Sequence, residues 1–321
     1  MNEPIFIARQ DTLEQEILPA HWLAQYKLFG EESYTFQDKG IWKKLCMSSA
    51  AANDRDMHAE ALEEMLTTFS AEHTGKWMLT VYGMDAAVLE GLATMAAIAA
   101  NGTAMAAVAG NALLMHAITN SETAMQAISR SQTAMQRIAN STTAMDAIGG
   151  SRIARGAVQA SPYYNSYIKE NDMAIAKLAV ALANLESAGY SGMAGVAADS
   201  TAMTAVAASA TAMGKIAAVD AALSKLAAST TAMDALYARK KKLNGGSASK
   251  SGKFIILEIS ASNAFNTSKY GYATLSDGSK PDWSSYLAKY AFFQKYPKYA
   301  TYMLNDTDSD DYIYYFDIAS P

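Results

Sequence analysis

Residues 121–150 read SETAMQAISR, SQTAMQRIAN and STTAMDAIGG, three ten-residue units sharing Ser, Thr, Ala, Met and Ile at positions one, three, four, five and eight. The period extends outward in both directions. Met95, Met105, Met115, Met125, Met135 and Met145 form one column. Ile98, Val108, Ile118, Ile128, Ile138 and Ile148 follow three residues later, continued by Val158 and Ile168. Asn101, Asn111, Ser121, Ser131, Ser141, Ser151, Ser161 and Asn171 open the units. A second array in a shifted frame carries Met193, Met203, Met213, Leu223 and Met233, with Val196, Val206, Ile216, Leu226 and Leu236 as partners.

One long helix cannot use this period. Ten residues at about 100° each stop about 80° short of three turns, so an apolar stripe would circle the axis within a few units. A strand fails too, because residues three apart point to opposite faces. One short helix per unit remains. Ala, Met, Ala and Ile then share a face at spacings of three and four, the opening Ser or Asn caps the helix, and pairs such as Gly149-Gly150 turn the chain. A helix of about seven residues has no stability alone, so neighbours must cover it. The Met and Ile columns, Met203, Met213 and Met233 included, are therefore expected core; metal ligation would need converging sulfurs rather than one per turn.

Residues 159–191 interrupt the pattern at Pro162, Tyr163 and Tyr164. Residues 172–188 then read as a longer helix capped by Asn171 and ended by Gly189, a brace or a corner. The basic run 239–242 reads as cations at a helix C-terminus. Residues 244–252 (NGGSASKSG) have the composition of a flexible linker. Beyond it 253–260 reads as strand, 283–296 as helical, and 302–305 with 312–318 as a hairpin. Tyr270, Tyr272, Tyr312, Tyr314 and Tyr315 stand out as a candidate interaction surface, suited to a sugar or a protein, with half-buried packing as the equal alternative. Before the arrays, 12–26 and 57–69 suggest helices and 76–82 a strand, and Trp22, Trp42 and Trp77 suggest a core or a contact surface.

Asp306, Asp308, Asp310 and Asp317 match several oxygen positions of a calcium loop. Asp311 stands where such a loop needs Gly, however, and Asp replaces the bidentate Glu, so a solvated hairpin tip is the better reading. The net charge of −5 gives no electrostatic case for nucleic acid. The single cysteine, Cys46, allows no internal disulfide and no multi-cysteine metal site. The uncharged stretch 91–121 is broken by Asn101, Asn111, His116, Gly102 and Gly110, so membrane insertion is not expected. Residues 1–10 lack the order of a signal peptide. There is no glycine-rich phosphate loop, nucleophile elbow or paired-His motif, and His58 beside Asp54, Asp56 and Glu60 reads as the polar start of a helix. No catalytic, cofactor or metal residues are assigned, and no enzyme is expected.

The Thr-Ala-Met decapeptides at 103–105, 123–125, 133–135, 143–145, 201–203, 211–213 and 231–233 resemble repeats of tailed-bacteriophage virion proteins of tail-fibre and tail or collar type. The resemblance covers residues 91–238 and carries no catalytic residues. It implies a structural protein of the virion, assembled in host cytoplasm, oligomeric and held by other virion proteins. A host-surface adhesin binding a glycan or protein, and an envelope-polymer-degrading enzyme, are the alternatives. The expected fold is mainly α: a solenoid-like stack of short helices with an N-terminal α-rich cap and a small C-terminal α+β domain. The expected divisions are 1–90 attachment or cap, 91–158 first array, 159–191 intervening helix or corner, 192–243 second array, 244–252 linker, and 253–321 β-containing domain.

Overall fold

The computed structural model describes residues 88, 91–92, 94–260, 271–282, 286–308 and 310–321. The expected N-terminal helices, strand and tryptophans lie outside the described residues, as does Tyr270. Two compact units divide the chain between Ile168 and Lys169.

In the first unit each decapeptide is one helix: α1 Met95–Ala100, α2 Gly102–Gly110, α3 Ala112–Asn120, α4 Glu122–Ser129, α5 Gln132–Ala139, α6 Thr142–Gly150 and α7 Arg152–Ala160. Positions four, five, eight and nine are buried in α2–α6, so the inner face is Ala-Met or Leu-Met plus Ile or Val and a small residue; in α7 Arg155 and Gln159 at positions five and nine are half-buried. The corner is a single extended residue, and α2 and α3 diverge by 100° across theirs. Each helix packs on its sequence neighbours and, more extensively, on the helix three units away. Position one does the work of the corner. The Ser131 amide bonds back to Ile128 O, its carbonyl accepts from Met135 N, and its hydroxyl accepts from Ala134 N at 3.2 Å.

That hydroxyl also donates. Ser131 Oγ reaches Ala99 O at 2.6 Å, Ser141 reaches Ala109 O at 2.6 Å, Ser151 reaches Thr119 O at 2.5 Å and Ser161 reaches Ser129 O at 2.6 Å, every one 32 residues back. The acceptor is a position-nine carbonyl at a helix C-terminus, one of the groups a helix leaves unpaired. One hydroxyl therefore satisfies the start of its own helix and the end of the helix three units earlier. The array closes where Pro162, lacking an amide hydrogen, follows Ser161. A π-helical turn, Tyr164–Ile168, stands in place of the next helix and packs on α5, with Gln132 Nε2 donating to Tyr167 OH at 2.7 Å.

The second unit opens with α8, Asp172–Leu182, capped as expected by Asn171. It ends before Gly189, because Asn184 takes the left-handed conformation at φ 60° and Leu185 N bonds to Val180 O, a Schellman-type stop. Then follow α9 Met193–Ala198, α10 Ser200–Ala208, α11 Ala210–Ala217, α12 Asp220–Ala227 and α13 Thr230–Tyr237, again packed three apart. Ser229 Oγ donates to Ala197 O, once more 32 back, at 2.5 Å. The other corners of this array depart from the ladder: Asp199 has no hydroxyl to donate, Ser209 Oγ donates to Leu182 O, 27 residues back, at 3.2 Å, and Val219 has no polar side chain. Residue 32 before it is Ser187, whose carbonyl is taken by the fully buried Lys177 ammonium at 3.0 Å.

The sheet follows without a linker. Strands β1 Lys241–Asn244, β2 Ala248–Ser260, β3 Gly271–Leu275, β5 Ala300–Asn305 and β6 Tyr312–Asp317 run antiparallel in the order β1-β6-β2-β5-β3, and the two-residue β4, Tyr286–Leu287, pairs with β2. Residues 241 and 242 of the basic run are strand, and the Gly/Ser-rich 244–252 is a tight turn entering β2. At Gly245 a Cβ would fall 1.9 Å from Asp308 O, so the close approach of the two turns requires glycine. The expected hairpin of 302–305 with 312–318 is absent, because β2 lies between: Ala248–Ser251 pair with β5, and from Phe254 onward β2 pairs with β6. Within 283–296 only α14, Ala291–Lys295, is described as helix.

One face of the sheet, with Ile255, Leu257, Phe293, Phe316 and Ile318, joins the core of α8–α13. The other buries Phe254, Ile256, Ile259, Phe292, Met303, Ile313 and Tyr315. The mainly-α, solenoid-with-appended-domain expectation is thus corrected. The described residues are 55% helical and carry an antiparallel sheet that shares its core with the second array; the α-rich cap lies outside them.

Lys298 clips the sheet to α12, 2.9 Å from Asp220 and 3.3 Å from Asp277. The Ser279 hydroxyl and amide, then Lys298, push the Asp277 carboxyl down to about 2. A depressed carboxyl contributes stability above its ordinary range and loses it as pH falls through about 2. The melting temperature should therefore fall as pH is lowered from 3.8 towards about 2, and Asp277→Asn should flatten that slope in scanning calorimetry.

Candidate binding surface

Every core position named from the sequence is buried, from Met95 to Met233. The calcium candidates do not converge. Asp317 lies at the far end of β6, near Lys241 at 3.6 Å and Lys250 at 3.9 Å. The 306–311 loop is instead knit to the 245–247 turn: Gly246 N donates to Thr307 O and Gly245 N to Asp311 O, each at 2.8 Å, and Ser247 Oγ donates to Asp306 Oδ1. Among the described residues no three His, Cys, Asp or Glu side chains are placed to hold a metal ion.

The tyrosines separate into three places. Tyr315 is core, edge-on to Phe254 at 5.3 Å. Tyr272 pairs with Tyr302 at 5.5 Å under Lys280. Tyr312 and Tyr314, 4.5 Å apart, face the end of the helical array. There they meet Tyr237 of α13, 6.0 Å from Tyr314, and Tyr290 stands 5.6 Å beyond Tyr237.

Two backbone irregularities build this surface. Strand alternation along FIILEI would place Glu258 with Phe254 and Ile256. A bulge between Ile256 and Glu258 inserts Leu257, so Glu258 pairs with Tyr314 and turns towards the tyrosines while Ile259 returns to the opposite core. The second irregularity is Tyr290, which is left-handed at φ 72°. Such a residue costs of order 1–3 kcal/mol and persists only when its surroundings demand it. Its amide donates to Leu257 O, the carbonyl of the bulge, at 2.6 Å. The two distortions are bonded to each other and serve one patch.

Glu258, 9% exposed, accepts from Tyr237 OH at 2.6 Å and Tyr312 OH at 3.3 Å. Burial, reinforced by this carboxylate, pushes the Tyr237 phenol well above its ordinary range. Tyr290 OH donates to Asp234, and Lys289 lies 3.1 Å from it; the hydroxyl first, then the ammonium, hold that carboxyl below the usual carboxylate range. Three exposed lysines stand over the rings. Lys240 lies 4.1 Å from the Tyr237 centroid and 5.1 Å from Tyr314, Lys289 lies 4.4 Å from Tyr237, and Lys242 lies 4.9 Å from Tyr312. Sequence reading found Tyr312 and Tyr314, counted Tyr290 only among the many C-terminal tyrosines and read Lys240 and Lys242 only as helix-end cations; it missed Tyr237, Glu258 and Lys289. Only a carboxylate inside an apolar strand run hinted at them.

No protein-family model and no curated protein matches this chain. Among the described residues no single helix is long and apolar enough to cross a membrane, although the bent pair α2 with residues 114–120 of α3 would pass by length and composition.

Tyr237→Phe leaves Glu258 with one fewer donor. The expected loss is about 1.5–3 kcal/mol in chemical denaturation, as for hydrogen bonds to a charged group. Glu258→Gln should bring the Tyr237 phenol part of the way back in a spectroscopic titration, since burial persists. A Tyr237→Phe variant as stable as the parent would mean the bond adds nothing.

Proposed function

We propose that this chain is a structural virion protein of a tailed phage, of tail-fibre or tail/collar type, and that it works by assembly and contact rather than catalysis. The observation that carries the reading is the serine ladder. The hydroxyls of Ser131, Ser141, Ser151, Ser161 and Ser229 are committed to bonds that join repeat corners to helix ends 32 residues back, as a mechanical element requires. The Thr-Ala-Met resemblance supplies the virion setting, with other virion proteins and further copies of the chain as partners. Immunogold labelling of purified particles with an antibody to residues 271–318 tests it: label at the tail or collar is expected. Absence of the chain's peptides from particles by mass spectrometry would overturn the reading.

A second reading is favoured by the tyrosine–lysine patch. A surface built from a bulge, a left-handed residue and a buried carboxylate is more than a junction between helices and sheet needs. The chain then contacts the host surface through this patch, as an adhesin.

A further inference from the structure

We propose that the patch formed by Tyr237, Tyr312, Tyr314, Lys240, Lys242 and Lys289 binds an acidic saccharide, a sugar unit bearing a carboxylate. The inference rests on the adhesin reading and names its ligand chemistry.

Three features select this class. Tyr237, Tyr312 and Tyr314 are half-buried; Lys240 and Lys289 both lie over the Tyr237 ring, and Tyr312 and Tyr314 give flat apolar contact of the kind that stacks on the C–H face of a pyranose. Lys240, Lys242 and Lys289 are exposed and gathered over those rings, in a chain whose net charge is −5; the positive charge is local, not general. Ammonium groups already resting on rings lose little freedom when a carboxylate arrives. The third feature is the pair of carboxylates beside the lysines. Asp234, with its side chain 57% exposed, can accept sugar hydroxyls, and Glu258 fixes two of the phenols. A phosphate backbone would meet the exposed Asp234 carboxylate at close range, so a nucleic acid is disfavoured where a polyhydroxylated ligand with fewer charges is not.

Calorimetric titration of the full chain tests this with oligogalacturonate and sialyllactose as acidic probes, maltotriose as the neutral probe and a short DNA duplex as the polyanion. The expected result is binding of at least one acidic probe, at least about tenfold tighter than maltotriose. Lys240→Gln and Lys289→Gln should each weaken it about tenfold, as loss of one charge-assisted bond does, with the melting temperature unchanged for Lys240→Gln and slightly lowered for Lys289→Gln, which also gives up its ion pair with Asp234. Tyr314→Ala should weaken neutral and acidic probes alike. Binding of neither acidic probe, equal binding of maltotriose, tighter binding of DNA, or indifference to both lysine changes would overturn the proposal. The adhesin reading fails separately: adsorption to host cells that survives the lysine changes keeps that reading and removes this site. A chain that binds uronate but is absent from particles keeps the site and removes the virion.

Discussion

Ile138→Asp should melt the helices of the first unit together instead of unwinding α5 alone. Ile138 is fully buried, and α5 packs on α2, α4, α6 and the π-helical turn. A carboxylate there must be expelled or neutralised, and either course costs more than about 4 kcal/mol, beyond the ordinary range for one substitution. None of the eight- or nine-residue helices that α5 covers can survive uncovered. The expected result is loss of most helical circular dichroism from the first unit and fast hydrogen exchange throughout 95–160. Gln136→Asp, two residues away on the exposed face, should change stability by no more than about 0.5 kcal/mol. Fast exchange confined to 132–139 would show that the helices are independent.

The columns that make Ile138 indispensable were legible because a ten-residue period is a local property, as was the Ser or Asn that caps each helix from α2 to α7. Features that depend on partners far along the chain were not. Nothing near Ser131 announces Ala99; the sign was a small residue at position nine, from Ala99 to Gly149, read only as part of a turn. The segment 244–252 has linker composition, yet Ala248–Ser251 form strand because β5 supplies the pairing, and Gly252 is tolerated beside Phe254 where any Cβ would strike the ring at 2.5 Å. The β5–β6 hairpin was misread because sequence adjacency favours neighbours, whereas β2 is long enough to reach both. The bulge at Leu257 escaped for another reason. Alternation can assign Glu258 to a face only if no residue is inserted, and a tyrosine count cannot tell Tyr315, which is core, from Tyr314, which is not.

Removing the serine ladder from three consecutive corners, Ser131→Ala with Ser141→Ala and Ser151→Ala, should rival the core charge in effect. Each hydroxyl accepts one amide bond as a cap, worth about 1 kcal/mol, and donates to a position-nine carbonyl whose abandonment costs about 1–3 kcal/mol. The sum over three corners is about 6–12 kcal/mol, as much as a whole domain commands. Two substitutions separate the roles. Thr keeps both bonds and should restore most of the loss. Asp is a capping residue, and Asp199 already caps α10 through Thr201 N and Ala202 N at 2.8 and 3.0 Å, but a carboxylate cannot donate to a carbonyl. If capping alone mattered, Asp would match Ser; if the bond across 32 residues matters, Asp is no better than Ala and adds repulsion from the carbonyl. Single-corner variants melted side by side decide this, with Ser151 the most sensitive, since both ends of its bond are buried. Equal stability of Ser151→Asp and the parent would reduce the ladder to a row of ordinary caps and would take from the structural reading the observation that carries it.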